Sequence, residues 1–239
     1  MRVLKLLLIA SVIFPILLTA QDPAPTVRLA DRSDWWSILN ENFYWPIDKP
    51  EKDELSADNF EIAGFKLEHD PSFRSVKGKF GRAIAATRGD SRTGRQQICY
   101  VSDRKPPVHL IFEEGELNLG FYLFEEGQPW NGQALCAESS QVTSALRTKS
   151  GLGLGISQAD VERVLGKPDL TRENRLIYQR EVEKPTPDNK LTELRTEHPE
   201  MSEKDFHDNY GTYEIELYIE ARFTDGKLTY LAVSKAENY

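Results

Sequence analysis

Residues 151–169, GLGLGISQADVERVLGKPD, contain the glycine, serine and lysine residues from which phosphate-binding loops are built. A dinucleotide-binding loop needs glycines at its first, third and sixth positions, between a buried strand and a long helix. Here Ile156 stands at the sixth position, and Gly166 and Lys167 are followed by proline rather than by serine or threonine. The spacing therefore argues against a phosphate site.

The same stretch comes close to a serine nucleophile elbow, whose pattern is Gly-x-Ser-x-Gly. Residues 155–159 read GISQA, so the pattern around Ser157 lacks its final glycine. Asp188 and His198 follow in the order that α/β-hydrolases use for their triad. However, that fold needs an apolar parallel strand before the serine and several β–α units around it, and neither is visible. A small exported serine hydrolase using Ser157 is kept as an alternative.

Every residue from Ser157 to Pro168 also fits a short helix that rests on a sheet. Ser157 is a good N-cap, and Asp160 stands where a carboxylate can bond back to the cap and favour the helix dipole. The apolar residues before Gly166 recur at i, i+3 and i+4, which gives one apolar stripe. Gly166 suits the left-handed position that ends a helix, and Pro168 prevents its continuation. Ser157, Asp160, Gly166 and Pro168 are therefore predicted to be structural residues that frame this helix.

Other residue types that support catalysis or metal binding are scattered along the chain. None of the four histidines has a partner at the i, i+4 spacing of a helical metal pair. His198 and His207 lie among carboxylates, which leaves a weak metal site as an alternative to a solvated loop. Glu113 and Glu114 are predicted to lie in a solvated turn. The sequence thus predicts no catalytic residue, no metal and no cofactor.

The first twenty residues have the layout of a secretory signal peptide. Arg2 and Lys5 give a basic start, residues 6–18 are almost wholly apolar, and Ala20 precedes polar residues at the expected cleavage position. No cysteine follows the apolar run, so no lipid-attachment site is expected. We expect export to the periplasm or the extracellular space, as a protein with no stable membrane insertion.

The charge balance and the cysteines fit an exported binding protein. The formal net charge of −8 disfavours nucleic acid and anionic membrane surfaces as main partners, since both reward clustered lysine and arginine. The two cysteines, Cys99 and Cys136, are predicted to form one disulfide in an oxidising compartment. Two buried free thiols are the alternative.

Residues 213–223 give the clearest strand signal, with apolar residues at every odd position and therefore one predicted buried face. Asp225 and Gly226 form a tight-turn pair before a return strand. The same order of signals appears upstream, where residues 72–83 match residues 157–168 in spacing and residues 112–117 match residues 223–228. This ordered match indicates an internal duplication.

The predicted fold is α+β, with two tandem units that each pack a short helix on an antiparallel sheet. The expected divisions are a signal peptide (1–20), an aromatic N-terminal extension (21–70), a first unit (71–137) and a second unit (138–239). In the extension, Trp35, Trp36, Tyr44 and Trp45 are the candidate partner-binding residues, because interfaces favour large aromatic side chains. The alternative is that these rings fix the extension to the sheet.

The chain resembles two protein families over residues 152–233. The segment GISQADVERVLGKPD, followed by a predicted strand that contains Tyr178, is similar to the SmpA/OmlA-type outer-membrane assembly lipoproteins. It is equally similar to one repeat of the β-lactamase inhibitor protein family. The matched residues are Gly155, Ser157, Val161, Leu165, Gly166 and Pro168. The resemblance implies helices packed on one face of an antiparallel sheet, and protein binding rather than catalysis. The lipoprotein branch carries an N-terminal lipid-bearing cysteine, which this chain lacks.

These observations predict an exported, non-catalytic protein-binding or scaffold module of the cell envelope or extracellular space, with another exported protein as its partner. Besides the serine hydrolase, a small-ligand-binding protein is kept as an alternative.

Overall fold

The computed structural model describes residues 27–28, 55–68, 72–88, 95–115, 118–126 and 136–239. The strands are β1 Val27–Arg28, β2 Glu61–Ile62, β3 Phe65–Lys66, β4 Ala85–Arg88, β5 Arg95–Val101, β6 Val108–Glu114, β7 Asn118–Glu125, β8 Ala137–Glu138, β9 Leu170–Arg172, β10 Arg175–Pro185, β11 Thr212–Thr224 and β12 Lys227–Asn238. The helices are α1 Arg74–Phe80, α2 Gln158–Leu165, α3 Asp188–Glu197 and α4 Glu203–Tyr210, with a 3-10 turn at Ala57–Phe60.

Ten of these strands form one large sheet in the order β1-β4-β5-β6-β7-β12-β11-β10-β9, with β8 paired to β5. All neighbours from β4 to β9 in this order are antiparallel, whereas β1 and β8 pair in parallel with β4 and β5. The class predicted from the sequence, α+β with an antiparallel sheet and a few helices, is confirmed.

The elements follow one another in two similar runs. The first run is α1 followed by β4 to β7, and the second run is α2 followed by β9 to β12. The runs meet where β7 pairs with β12, with Phe121 opposite Val233. Because both runs place their last strand at this junction, the strand order of one run is the reverse of the other.

Helices α1 and α2 lie on one face of the sheet, called here the first face, and bury their apolar stripes there. Val76 and Phe80 of α1 and Val161 and Leu165 of α2 belong to one core with sheet residues such as Ile219. Burying an aliphatic or phenyl side chain of this size contributes roughly 1.5–3 kcal/mol. Helices of two turns are unstable alone, so this packing is what holds them.

The second face of the sheet is buried as well, which the alternation in residues 213–223 did not predict. Glu220 is 0% and Arg222 4% exposed, although both stand at the positions expected to face water. Their burial is tolerated because the charges are paired: Arg222 Nε donates to Glu220 Oε1 at 2.7 Å. The guanidinium of Arg222 also lies 4.4 Å from the ring centroid of Tyr230. The expectation of a single buried face is therefore wrong from Leu217 onward.

Between β10 and β11 the chain forms two helices, α3 and α4, in the region where His198 and His207 suggested a solvated loop. Ser202 caps α4, its Oγ accepting from the backbone N–H of Asp205 at 3.1 Å. Helix α3 was not expected, but Pro187 stands at its N-cap, where a proline costs no helical hydrogen bond. Tyr210 Oη and His198 Nε2 lie 2.9 Å apart and tie the two helices together.

Among the described residues, no helix has both the length and the apolar character needed to cross a membrane.

Candidate functional site

Ser157 stands at the start of α2 and takes part in a capping box. Its Oγ accepts from the backbone N–H of Asp160 at 3.2 Å, and the Asp160 carboxylate accepts from the backbone N–H of Ser157 at 3.3 Å. The hydroxyl itself donates to Asp160 Oδ2 at 2.7 Å. The hydrogen-bonding partner of this serine is thus a carboxylate three residues along its own helix.

Asp160 is poorly suited to activate the serine. The hydrogen bond from Ser157, together with the contact from Arg163, lowers the pKa of Asp160 to about 2. Efficient general bases have a pKa close to the working pH, and a carboxylate that titrates near 2 accepts a proton weakly at neutral pH. The same interactions suit a helix start, because a fixed negative charge there complements the helix dipole.

Gly166 ends α2 in the way that the sequence predicted, with Pro168 two residues beyond it. Gly166 has φ of 81°, a left-handed value that glycine adopts without strain, and its N–H donates to Glu162 O at 2.8 Å. Its carbonyl accepts a hydrogen bond from the hydroxyl of Tyr178 at 3.2 Å. This buried tyrosine of β10 therefore fixes the end of the helix to the sheet.

The first run contains the same contact. Gly81 ends α1 with φ of 101°, and its carbonyl accepts from the hydroxyl of Tyr100, on β5, at 2.9 Å. Burial raises the pKa of both Tyr100 and Tyr178, so both hydroxyls stay protonated and able to donate. The sequence analysis missed these two tyrosine–glycine hydrogen bonds. A usable signal was present, because each tyrosine lies on the second strand after its helix.

The predicted disulfide between Cys99 and Cys136 is present. Cys99 lies on the second face of β5, next to buried ring and alkyl groups of β6 and β7. Cys136 directly precedes β8, whose Ala137 pairs with Tyr100. The covalent bond and the strand pairing together fix the segment that leaves the first run to the middle of β5.

Several predicted residues lie outside the described part of the chain. These are the signal peptide and the candidate partner-binding residues Trp35, Trp36, Tyr44 and Trp45.

The described histidines do not converge. His109 is buried on β6, stacked on the ring of Phe124 at 5.1 Å between centroids, and burial lowers its pKa to about 4. His198 bonds to Tyr210, and His207 lies exposed on α4. Within the part of the chain that the structure describes, no three His, Cys, Asp or Glu residues are grouped to hold a metal ion.

The prediction that Glu113 and Glu114 lie in a solvated turn is wrong. Both belong to β6 and are only 4% and 5% exposed. Successive side chains of a strand point to opposite faces, so the two carboxyl groups are separated by the sheet and cannot act as a catalytic pair. On the second face, Gln97 Nε2 donates to Glu113 Oε2 at 2.5 Å.

A cavity of about 770 Å³ opens on the first face, beside Glu114. Its walls come from the β2–β3 hairpin, the start of α1 and the ends of β6 and β7 that meet at their turn. Apolar walls are supplied by residues such as Phe65, Phe73 and Phe112. No pattern in the sequence indicates this cavity, because its walls come from three segments that the fold brings together.

The chain was also compared with known families and proteins. No family model, no curated protein and no solved structure matches it.

Proposed function

We propose that the chain is an exported, non-catalytic protein-binding or scaffold module of the cell envelope or the extracellular space. It consists of two tandem units, residues 71–137 and 138–239, each a helix on an antiparallel sheet as in the β-lactamase inhibitor and SmpA/OmlA-type families. The observation that carries the proposal is the matched tether of each helix, Tyr100 to Gly81 and Tyr178 to Gly166. Two unrelated segments would rarely both carry a tyrosine on the second strand after a helix and use its hydroxyl to bond the glycine that ends that helix.

The binding role is supported by how the reactive-looking residues are used. Ser157 caps a helix, and the carboxyl groups of Glu113 and Glu114 lie on opposite faces of the sheet. Ser157 therefore has a structural task, and the two carboxyl groups are not placed as a catalytic pair.

The partner-binding residues are assigned to the aromatic segment with Trp35, Trp36, Tyr44 and Trp45. Interface energy is concentrated in a few large anchors, with tryptophan and tyrosine the most frequent. Within the described residues, the large apolar side chains that are exposed are Ile84 and Tyr239. Ile84 directly precedes β4 and Tyr239 directly follows β12, and three strands lie between β4 and β12 in the sheet. A concentrated set of anchors is therefore expected in the N-terminal extension.

Export is supported by the leader-like first twenty residues and by the disulfide. Edman sequencing or intact mass of the protein recovered from the periplasm or medium is expected to show a chain that starts near Gln21. Recovery of the uncleaved chain from the cytoplasm, with both thiols reduced, would contradict export.

Affinity capture from the native envelope or extracellular fraction tests binding. The full chain is compared with a Trp35→Ala/Trp36→Ala variant and with a Trp130→Ala control, since Trp130 is a tryptophan outside the assigned segment. One protein that is retained by the parent and by the control, and lost with the double variant, supports the proposal. The proposal is contradicted if the parent, the double variant and the control retain a partner protein equally, or if none of them retains one.

The serine hydrolase alternative has a separate test. Hydrolysis of p-nitrophenyl acetate is measured for the parent and for Ser157→Ala. A hydrolytic rate that disappears in the variant at unchanged thermal stability would favour the enzyme. A cap residue gives the opposite pattern, with lower stability and no change in the background rate.

A further inference from the structure

The cavity beside Glu114 has the size and the lining of a small-molecule site. Its volume of about 770 Å³ lies within the range of typical ligand pockets. The rings of Phe65 and Phe112 lie edge to face, with centroids 6.3 Å apart, and form one aromatic wall. Val76 and Leu119 add aliphatic surface. This lining fits a flat apolar group of about the size of one or two fused rings.

One wall is held in an unusual backbone conformation. Phe73 precedes α1 with φ of 49° and ψ of 34°, a left-handed conformation that bulky residues rarely adopt. Its side chain is buried and lines the cavity. Strained residues of this kind are concentrated at ligand clamps and active sites. The conformation of Phe73 is thus an observation, independent of the volume, that points to a ligand.

The charged residues of the cavity are arranged by depth. Glu114 is buried and stands on the same face of β6 as Phe112, so its carboxyl group belongs to the interior. Lys66, Glu68 and Arg74 are exposed, and their charges lie at the mouth in contact with water. A carboxylate has about four acceptor positions, so it can receive a donor from a ligand in addition to contacts within the protein.

We propose that this cavity binds a small aromatic cation, with its ring against the wall formed by Phe65 and Phe112 and its ammonium group directed at Glu114. The carboxyl group accepts the N–H donors, and the aromatic faces add attraction for a positive charge. An anionic ligand of the same size would place its charge against Glu114 in a poorly hydrated site, which is unfavourable. The inference develops the small-ligand alternative and is independent of the protein-binding proposal.

The test uses three probes with the same naphthalene ring: 1-naphthylmethylamine, 1-naphthalenemethanol and 1-naphthoate. Binding to the full chain is measured by equilibrium dialysis at neutral pH. We expect the amine to bind about ten-fold more tightly than the alcohol, and the carboxylate more weakly still. Equal affinities for amine and carboxylate, or no binding of the amine, would overturn the proposal.

Variants locate the binding. In Glu114→Gln the preference for the amine over the alcohol is expected to disappear, whereas Glu138→Gln, an exposed glutamate elsewhere, should keep it. Leu119→Trp fills the cavity and should abolish binding of all three probes. Ala145→Trp, which adds the same ring beside a separate cavity of about 200 Å³, should leave binding intact.

Circular dichroism and thermal melting show whether each variant is folded. If Leu119→Trp does not fold, Ser75→Trp at the exposed side of α1 is the second filling variant. Binding that survives in a folded filling variant would place the probe elsewhere and overturn the proposal. Capture of a partner protein does not depend on any of these residues, so failure here leaves the protein-binding proposal standing.

Discussion

Helices α1 and α2 occupy corresponding places in the two runs, yet they begin differently and end alike. Helix α2 starts with a capping box at Ser157, whereas α1 starts at Phe73 with no side-chain cap. Both end at a glycine whose carbonyl accepts from a buried tyrosine of the sheet. The hydrogen bond from a tyrosine to the end of the helix is therefore what the two helices share, whereas the capping box at Ser157 belongs to α2.

The runs also differ in what reinforces them. The first run has the Cys99–Cys136 disulfide, and the second run has longer strands, with β10, β11 and β12 spanning 11, 13 and 12 residues. The first run contains Gly78 within its helix and the 770 Å³ cavity at its edge. A covalent bond therefore supports the run with the weaker helix and the incomplete packing.

Removing the disulfide should have the largest effect on the free energy of unfolding. The first run should lose more stability than the second run. The Cys99→Ser/Cys136→Ser variant is expected to lose about 2–4 kcal/mol of unfolding free energy, because the bond closes a loop of 37 residues. Denaturant unfolding measures the loss. Hydrogen exchange should show that β5 loses more protection than β10, and an equal loss in both would remove the distinction between the runs.

Alanine at the two aligned serines tests the difference at the helix starts. Ser157→Ala is expected to cost about 1 kcal/mol, since it removes the N-cap of α2. Ser72→Ala should cost less than about 0.5 kcal/mol, because Ser72 is exposed and Phe73, not Ser72, stands at the N-cap position of α1. Urea unfolding of both variants gives the comparison. Similar losses at both positions would mean that the two starts are alike after all.

Removing the two tyrosine hydroxyls tests the similarity at the helix ends. Tyr100→Phe and Tyr178→Phe should each cost about 0.5–1.5 kcal/mol, because each leaves a glycine carbonyl without its donor. The measurement is again the free energy of unfolding. A cost confined to one of the two variants would argue against equivalent tethers.

Replacing Gly78 should make α1 more stable and so reduce the difference in stability between α1 and α2. Gly78→Ala is expected to raise stability by about 0.5–1 kcal/mol, because alanine is the better helix former and the added Cβ meets no atom within 4 Å. Thermal unfolding detects the increase. A decrease would show that the interior of α1 is not an ordinary helix.

The pH dependence of the cap gives the smallest and most local effect. The pKa of Asp160 is lowered to about 2, mainly by its hydrogen bond from Ser157. The contribution of the cap is therefore complete above the ordinary aspartate pKa of about 3.9 and disappears as the pH falls through about 2. Carboxyl ¹³C NMR should report this pKa, and Ser157→Ala should raise it toward its ordinary value; an unchanged value would assign the shift to Arg163 instead.

The sequence was sufficient wherever the determining contacts are local. The cap at Ser157, the end of α2 at Gly166 and the β11–β12 hairpin all depend on residues a few positions apart. The spacing of residues 72–83 located α1, but it placed Ser72 at the cap, whereas the helix begins one residue after Phe73. The left-handed conformation of Phe73 depends on tertiary packing, which a capping pattern does not contain.

Features that depend on distant residues were missed. Glu113 and Glu114 looked like turn residues because charge is common in turns, but β6 continues through them and the sheet buries both faces. Glu220 and Arg222 looked solvent-facing because alternation marks one apolar face and cannot show that the other face is buried as well. The cavity beside Glu114 has walls from three segments, so no single pattern in the chain predicts it.

The place of β12 has a consequence for how the chain is made. It follows all the other described strands in sequence, yet it lies inside the sheet between β7 and β11. Until this strand has emerged from the ribosome, both neighbours present open hydrogen-bonding edges, and such edges recruit strands from other molecules. A product that stops before Lys227 would keep these edges permanently, so premature termination should yield aggregates or proteolytic fragments rather than a smaller working protein.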